Sequence, residues 1–78
     1  MSMQRFAAIA ARHFKLSEGE IVDSLTARDV PEWDSMNYLL FIADLEKEFQ
    51  VSFTMEEVLS AESLGSVRKA LQSKGVTV

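Results

Sequence analysis

The residues best placed to do chemistry are Asp34 and Ser35, which lie where a long polar segment meets an apolar, helix-forming run. A serine in the first turn of a helix lies beside backbone N–H groups that have no partner within the helix, and such a site accepts a phosphate group. Its hydroxyl has little to pack against, so we expect it to be exposed. The same two residues are also typical of a plain helix N-cap. Their types and spacing leave both interpretations open.

His13 is the only histidine, and the sequence contains no cysteine. These counts exclude a disulfide scaffold, a Cys/His zinc site and a Cys–His catalytic pair. A small hydrolase would need His13, Ser35 and an acid such as Asp34 to meet, and nothing in their spacing favours this arrangement. We therefore expect His13 to lie at the surface or at the edge of the core.

Charged pairs elsewhere are weaker candidates for a site. Glu56 and Glu57 are acids that a metal ion could bind, but such a pair on a short helix is usually just solvated. The sequence has no Asp-x-Asp-x-Asp-Gly loop of the EF-hand type. Arg5 and Arg12 fall on the first predicted helix, where we expect them to form a solvated face.

Composition excludes further classes of protein. The 78 residues carry 12 acidic and 8 basic side chains, and this net charge of −4 argues against the basic surface that nucleic acids and anionic membranes require. No apolar run reaches the roughly 18 residues of a membrane span, and the start of the chain does not have the pattern of a signal peptide. We expect one small cytoplasmic domain over residues 1–78, with little room for a deep pocket.

Helical periodicity dominates the hydrophobic pattern. A first helix is predicted over residues 4–14, where apolar residues recur at helical spacing and alanines favour the helix. A long connection follows from Ser17 to Trp33, and loops of this length in compact domains are commonly functional. Its aliphatic residues predict an ordered loop that packs over the core.

The second helix is predicted to begin at Asp34 and Ser35, with Asp34 as its N-cap, and to end near Gln50. It should be the most buried helix of the domain. Its apolar positions occupy one broad arc. That arc holds Tyr38, Leu39, Phe41, Ile42, Leu45 and Phe49.

Two capping signals predict two more helices. Thr54 and Glu57 have the spacing of a capping box, which opens a short third helix. Ser63 caps a last helix that ends near Gly75. The sequence therefore predicts an all-α fold, a small four-helix bundle with a long loop between helices 1 and 2 and a short third helix.

The sequence around Ser35 resembles the attachment site of acyl carrier proteins. Residues 34–36, Asp-Ser-Met, are similar to the Asp-Ser-Leu motif of that family, and residues 45–49, Leu-Glu-Lys-Glu-Phe, are similar to its Leu-Glu-Glu-Glu-Phe. Residues 63–67 look like the family's entry to its last helix. The resemblance covers nearly the whole chain, with the downstream spacing intact.

This resemblance implies that Ser35 carries a 4′-phosphopantetheine arm, which a phosphopantetheinyl transferase moves from coenzyme A. Asp34 would flank the phosphate or help the transferase to recognise the turn. The protein would then be no enzyme: it would hold an acyl or aminoacyl group as a thioester and present it to a loading ligase and to downstream transferases or synthases. We expect a monomer that binds no nucleic acid.

The outward arc of the second helix departs from the family pattern, which has several acids there. Met36, Leu40 and Ala43 form an apolar stripe beside Ser35, and Lys47 replaces an acid. We interpret this stripe as a docking surface for partner enzymes, in which apolar contact matters more than acidic steering. The whole arc is predicted to hold Met36, Asn37, Leu40, Ala43, Asp44, Lys47 and Glu48.

Trp33, immediately before the motif, looks more like carriers of dedicated pathways, such as polyketide, nonribosomal-peptide or aminoacyl carriers. It could equally be a hydrophobic staple that closes the loop onto the second helix. Two alternatives to the dedicated carrier remain: a carrier of fatty-acid synthesis, and a helical interaction module that is never modified.

Overall fold

The computed structural model describes residues 2–78, with side chains from residue 4 onward. This part of the chain contains four α-helices and no strand: α1 (Ser2–Phe14), α2 (Ser35–Phe49), α3 (Met55–Ser60) and α4 (Leu64–Ser73). A single 3-10 turn, Glu18–Glu20, lies in the long loop between α1 and α2. The predicted all-α fold, with its long first loop and short third helix, is confirmed.

Aromatic rings hold α1 against α2. The ring of Phe41 lies 5.9 Å from that of Phe6 and 5.1 Å from that of Phe14, between ring centres. All three rings are almost wholly buried. Edge-on and tilted contacts of this kind add to the stabilisation from burial itself. The remaining fully buried large side chains are Val30, Leu45, Leu64, Val67 and Leu71.

Ion pairs border this α1–α2 interface, which corrects the prediction for Arg5 and Arg12. Arg5 donates to Glu48 (Nε to Oε2, 2.7 Å), and Arg12 donates to Asp44 (Nη2 to Oδ2, 2.6 Å). The two arginines are therefore paired with α2 and do not form a merely solvated face. Glu48 is exposed, in agreement with its place on the predicted outward arc, and Asp44 is partly buried; both carboxylates pair with basic side chains of α1.

The long loop between α1 and α2 is ordered and packs over the core, as predicted. Ile21 and Val30 are buried. The loop also binds the start of α4, where Gly65 N donates to the carbonyl of Asp23 at 2.9 Å. The Asp23 carboxylate accepts from Arg68 (Nη2 to Oδ2, 2.5 Å). The loop is thus fastened to the first turns of α4.

The capping box at α3 is confirmed. Thr54 Oγ1 accepts from Glu57 N at 3.1 Å, and Glu57 Oε1 accepts from Thr54 N at 2.8 Å. The Glu57 carboxylate also accepts from Lys74 Nζ at 2.7 Å, which ties α3 to the end of α4. Within residues 2–78, no group of three or more acids or histidines is placed to bind a metal ion. The capping box and the bond with Lys74 give Glu57 a structural role.

No helix in the described part of the chain is long and apolar enough to cross a membrane.

Candidate functional site

Asp34, next to Ser35, is the N-cap of α2. Its backbone is extended, and its Oδ1 accepts from Asn37 N at 2.8 Å. The Asn37 side chain in turn donates from Nδ2 to the carbonyl of Glu32 at 2.8 Å, which fastens the loop to the helix start. These bonds make Ser35 the first residue of α2, as the sequence predicts. The N-cap interpretation of Asp34 is confirmed.

Ser35 is exposed and lies between two depressions of the surface. One of them, of about 210 Å³, is lined by Ala27, Trp33 and Asp34. The other, of about 230 Å³, runs between α2 and α3, and we call it the α2–α3 groove. Its lining is Ser35, Tyr38, Leu39, Met55, Val58 and Leu59. Tyr38 borders both depressions.

Trp33 is fixed by aromatic stacking on both sides. Its ring lies 5.0 Å from Phe14 at the end of α1 and 5.6 Å from Tyr38 in α2, and both pairs are close to parallel. Trp33 and Tyr38 occupy the N′ and N4 positions of α2, so the predicted hydrophobic staple is confirmed. The stack also reaches α1, a contact that local sequence could not indicate. It sets the direction in which the loop enters the helix at Ser35.

Tyr38 joins α2 to α3. Its hydroxyl donates to the carbonyl of Val58 at 2.8 Å. Burial raises the pKa of Tyr38 above its ordinary value of 10.0, so the hydroxyl stays protonated and remains a donor. The bond joins two residues that both line the α2–α3 groove.

The prediction that Leu39 lies on the inward arc of α2 is wrong, because 54% of its surface is exposed. It lines the α2–α3 groove with Met55 and Leu59, which are 68% and 76% exposed. The reason is the shortness of α3: six residues cover too little of α2 to bury this position. Sequence reasoning missed this trio. The sequence signal that could have found it is the pair Met55 and Leu59, two large apolar residues one helical turn apart in a helix that buries only Val58.

The predicted docking stripe lies on the surface of α2. Met36 is 73% exposed and Leu40 is 50% exposed, and Ala43 and Lys47 are exposed as well. Their spacing places them in a row that begins next to Ser35. We call this row the α2 stripe. Its exposure agrees with the prediction, and its role as a docking surface stays a prediction.

His13 lies away from Ser35. Its Nε2 is 2.6 Å from Asp44 Oδ2, and its ring packs edge-on against Phe41. Asp44 comes nine residues after Ser35 along α2 (44 − 35), about 13 Å at the rise of a helix. Asp34 is occupied with capping α2. The geometry therefore does not assemble the serine, histidine and acid of a hydrolase, and His13 lies at the edge of the core, as predicted.

The residues around Ser35 fit a phosphopantetheine group. The serine side chain is exposed, it lies in the first turn where backbone N–H groups favour a phosphate, and an apolar groove begins beside it. No basic side chain lines either depression that contains Ser35. The fit therefore depends on the helix start and on the apolar lining of the groove.

Comparison with known proteins identifies the fold. No protein-family model matches the chain, and no curated protein matches it. Among solved structures, a protein from Mycobacterium tuberculosis, provisionally described as an acyl carrier protein, matches with a TM-score of 0.83 and 18% sequence identity. The match covers 95% of this chain and 99% of that chain. The predicted resemblance to acyl carrier proteins is confirmed at the level of the fold.

Proposed function

We propose that this protein carries an acyl or aminoacyl group as a thioester on a 4′-phosphopantetheine arm attached to Ser35, and that it catalyses no reaction itself. One observation carries the proposal: the exposed Ser35 is the first residue of α2, behind the cap of Asp34, in a fold similar to that of an acyl carrier protein. The protein is then a cytoplasmic monomer that works with several enzymes in turn.

Attachment of the arm is a phosphoryl transfer. The Ser35 oxygen forms a bond to the phosphorus that bears pantetheine in coenzyme A, the pyrophosphate P–O bond breaks, and adenosine 3′,5′-bisphosphate leaves. The hydroxyl proton passes to the separate transferase. The arm, once bound, supplies the thiol that the chain itself lacks, since the sequence contains no cysteine.

The chain's own residues hold and orient the serine. Asp34 and the stack of Trp33 on Phe14 and Tyr38 fix the start of α2, where Ser35 is exposed. A substrate tethered at a fixed point reaches a high effective concentration at each partner's active site. The carrier's contribution is therefore positional.

The first test is the intact mass of the protein after incubation with coenzyme A and a promiscuous phosphopantetheinyl transferase. Wild type is expected to gain the mass of one arm, and Ser35→Ala is expected to gain none. Ser17→Ala is the matched control, because Ser17 is also an exposed serine at a helix start. No gain by wild type, or equal gain by Ser35→Ala, contradicts the proposal and leaves the unmodified interaction module as the better interpretation.

We further propose that the α2 stripe docks partner enzymes in a dedicated biosynthetic pathway rather than in fatty-acid synthesis. The support is electrostatic: Asp44 and Glu48 are paired with bases of α1, and Glu46 accepts from the backbone of Phe53. The acids of α2 are thus engaged within the chain. Steering towards a basic partner is weakened, and apolar contact with the stripe takes its place.

Substitution of Leu40 tests the α2 stripe. Leu40→Asp is expected to lower the efficiency of loading, kcat/KM, by about tenfold, as the loss of roughly 1.4 kcal/mol of apolar contact would. Val22→Asp is the matched control, since Val22 is an aliphatic side chain in the α1–α2 loop with the same 50% exposure. Equal loading of Leu40→Asp and Val22→Asp by the transferase, and equal transfer by later partners, would count against docking on this row.

A further inference from the structure

The end of the long loop forms a surface beside Ser35 that is separate from the α2–α3 groove. We propose that the 4′-phosphopantetheine arm itself, once attached to Ser35, lies along this loop, with its dimethyl group against Trp33 and its amides beside Arg28 and Glu62. The inference rests on the proposed function, because it concerns the arm that Ser35 would carry. It places the arm alone and not the group at its far end.

The arm has a fixed order of chemical groups from its attached end. The phosphate is followed by a methylene, by a carbon that bears two methyl groups, and by a carbon that bears a hydroxyl. Two amides and the thiol come after these. The dimethyl group is therefore the apolar part that must stay close to Ser35, whereas the amides reach further along the surface.

An aromatic wall next to Ser35 suits the dimethyl group. We give the name loop depression to the space of about 210 Å³ that is lined by Ala27, Trp33, Asp34, Ser35 and Tyr38. Trp33 is held there by stacking, with ring centres 5.0 Å from Phe14 and 5.6 Å from Tyr38. A wall that is already ordered loses little side-chain entropy when a methyl group covers it, so the contact is favourable.

Polar side chains continue the surface beyond the loop depression. Ala27 also lines a larger depression of about 550 Å³, between the loop and the connection from α3 to α4. The rest of its lining is Thr26, Arg28, Ala61 and Glu62. Arg28 and Glu62 are exposed, and within residues 4–78 neither side chain is used in a hydrogen bond or an ion pair. A guanidinium donates and a carboxylate accepts, which matches the C=O and N–H of the arm's amides.

The loop surface is ordered before any arm is attached. Thr26 donates from both N and Oγ1 to Asp29 Oδ2, each at 3.1 Å. The carbonyl of Leu25 accepts from Leu64 N at 3.0 Å, at the start of α4. These bonds fix the turn that carries Ala27 and Arg28. The arm therefore meets a preformed surface on this side of Ser35.

The α2–α3 groove is the rival surface for the arm, since Ser35 lines it as well. Its walls, Leu39, Met55 and Leu59, are apolar, and the Tyr38 hydroxyl already donates its proton to the carbonyl of Val58. The side chains of the groove thus offer no donor to the amide carbonyls of the arm. An amide placed against apolar walls without a partner loses free energy, so the arm favours the loop.

Contacts between arm and protein test the inference directly. Protein labelled with ¹³C and ¹⁵N is loaded by the promiscuous transferase from unlabelled coenzyme A, and intact mass establishes that the arm is attached. Nuclear Overhauser effects between unlabelled and labelled protons then locate the arm. The dimethyl protons are expected to contact the ring of Trp33 and the methyl of Ala27. The methylenes next to the amides are expected to contact the methyls of Thr26 and Ala61.

Two results would overturn the inference. One is a set of contacts from the arm to the methyls of Leu39, Met55 and Leu59, which would place the arm in the α2–α3 groove. The other is the absence of any contact from the dimethyl group to Trp33 or Ala27. Failure of the mass to increase would overturn the proposed function instead, so the two failures are distinguishable.

Substitution of Arg28 tests the polar half of the surface. Arg28→Ala is expected to lose the contacts between the amide methylenes and Ala61, and to keep those between the dimethyl group and Trp33. Lys69→Ala is the matched control, because Lys69 is an exposed base on α4 that lines neither depression. Unchanged contacts in Arg28→Ala, or an equal loss in Lys69→Ala, would overturn the part assigned to Arg28.

Discussion

Asp34 combines a structural position with a charge, and the two can be separated by substitution. As the N-cap it accepts from Asn37 N and so stabilises the start of α2. Its carboxylate also lies directly beside Ser35, where we propose that it helps the transferase to recognise the site. Asparagine caps helices about as well as aspartate but carries no charge.

Asp34→Asn is therefore expected to leave the free energy of unfolding in urea within roughly 0.5 kcal/mol of wild type, whereas Asp34→Ala loses about 1 kcal/mol. Because we propose that its charge helps recognition, Asp34→Asn is expected to load the arm about tenfold more slowly, the scale of one charge-assisted hydrogen bond. Loading of Asp34→Asn at the wild-type rate would reduce the role of Asp34 to that of a cap.

At the scale of elements, the contact between the long loop and α4 depends on the absence of a side chain at Gly65. A Cβ atom there would lie 3.0 Å from both the Cβ and the carbonyl oxygen of Asp23. The Asp23 carbonyl cannot easily move away, because it accepts from Gly65 N, and the Asp23 carboxylate is held by Arg68. The loop can approach α4 this closely only with glycine at the second position of the helix.

Gly65→Ala is expected to lower the free energy of unfolding by about 1–3 kcal/mol, the usual cost of forcing a methyl group into a packed contact. Gly19→Ala is the matched control, because its Cβ would have nothing within 4 Å. That variant is expected to be neutral or more stable by up to about 1 kcal/mol. Urea unfolding of both variants measures the difference, and equal stabilities would contradict the close approach.

Over the whole molecule, carboxylates join elements that are distant in sequence. The hydrogen bond from His13, together with Arg12, holds the pKa of Asp44 below its ordinary value of 3.8. The hydrogen bonds from Lys74 and from the backbone of Thr54 likewise lower the pKa of Glu57 below 4.5. A depressed pKa stabilises the fold fully above the ordinary pKa, and this stabilisation is lost as the pH falls through the lower pKa of the folded state.

The free energy of unfolding is therefore expected to fall as the pH is lowered from about 5 to about 2. Glu57→Gln is expected to reduce this slope, because glutamine can keep the capping box with Thr54 but cannot form the ion pair with Lys74. Glu56→Gln, one position earlier on α3, is the control and is expected to retain the wild-type slope. The measurement is a urea midpoint at a series of pH values.

Which features could be predicted depended on how far apart the interacting residues lie in sequence. The caps of Asp34 and Thr54 involve partners three residues away, so the sequence indicated them directly. The partners of Arg5 and Arg12 lie 43 and 32 residues away, and nothing local reveals them. The exposure of Leu39 was mispredicted for the same reason, since it depends on how little of α2 the short α3 covers.

The stack of Phe14, Trp33 and Tyr38 has an optical consequence. Trp33 is the only tryptophan of the chain, and it lines the same depression as Ser35. Its fluorescence therefore comes from a single indole two residues before the proposed attachment point. We expect a group joined to Ser35 to change the polarity around that indole, so that the emission of the unlabelled protein follows loading as it proceeds.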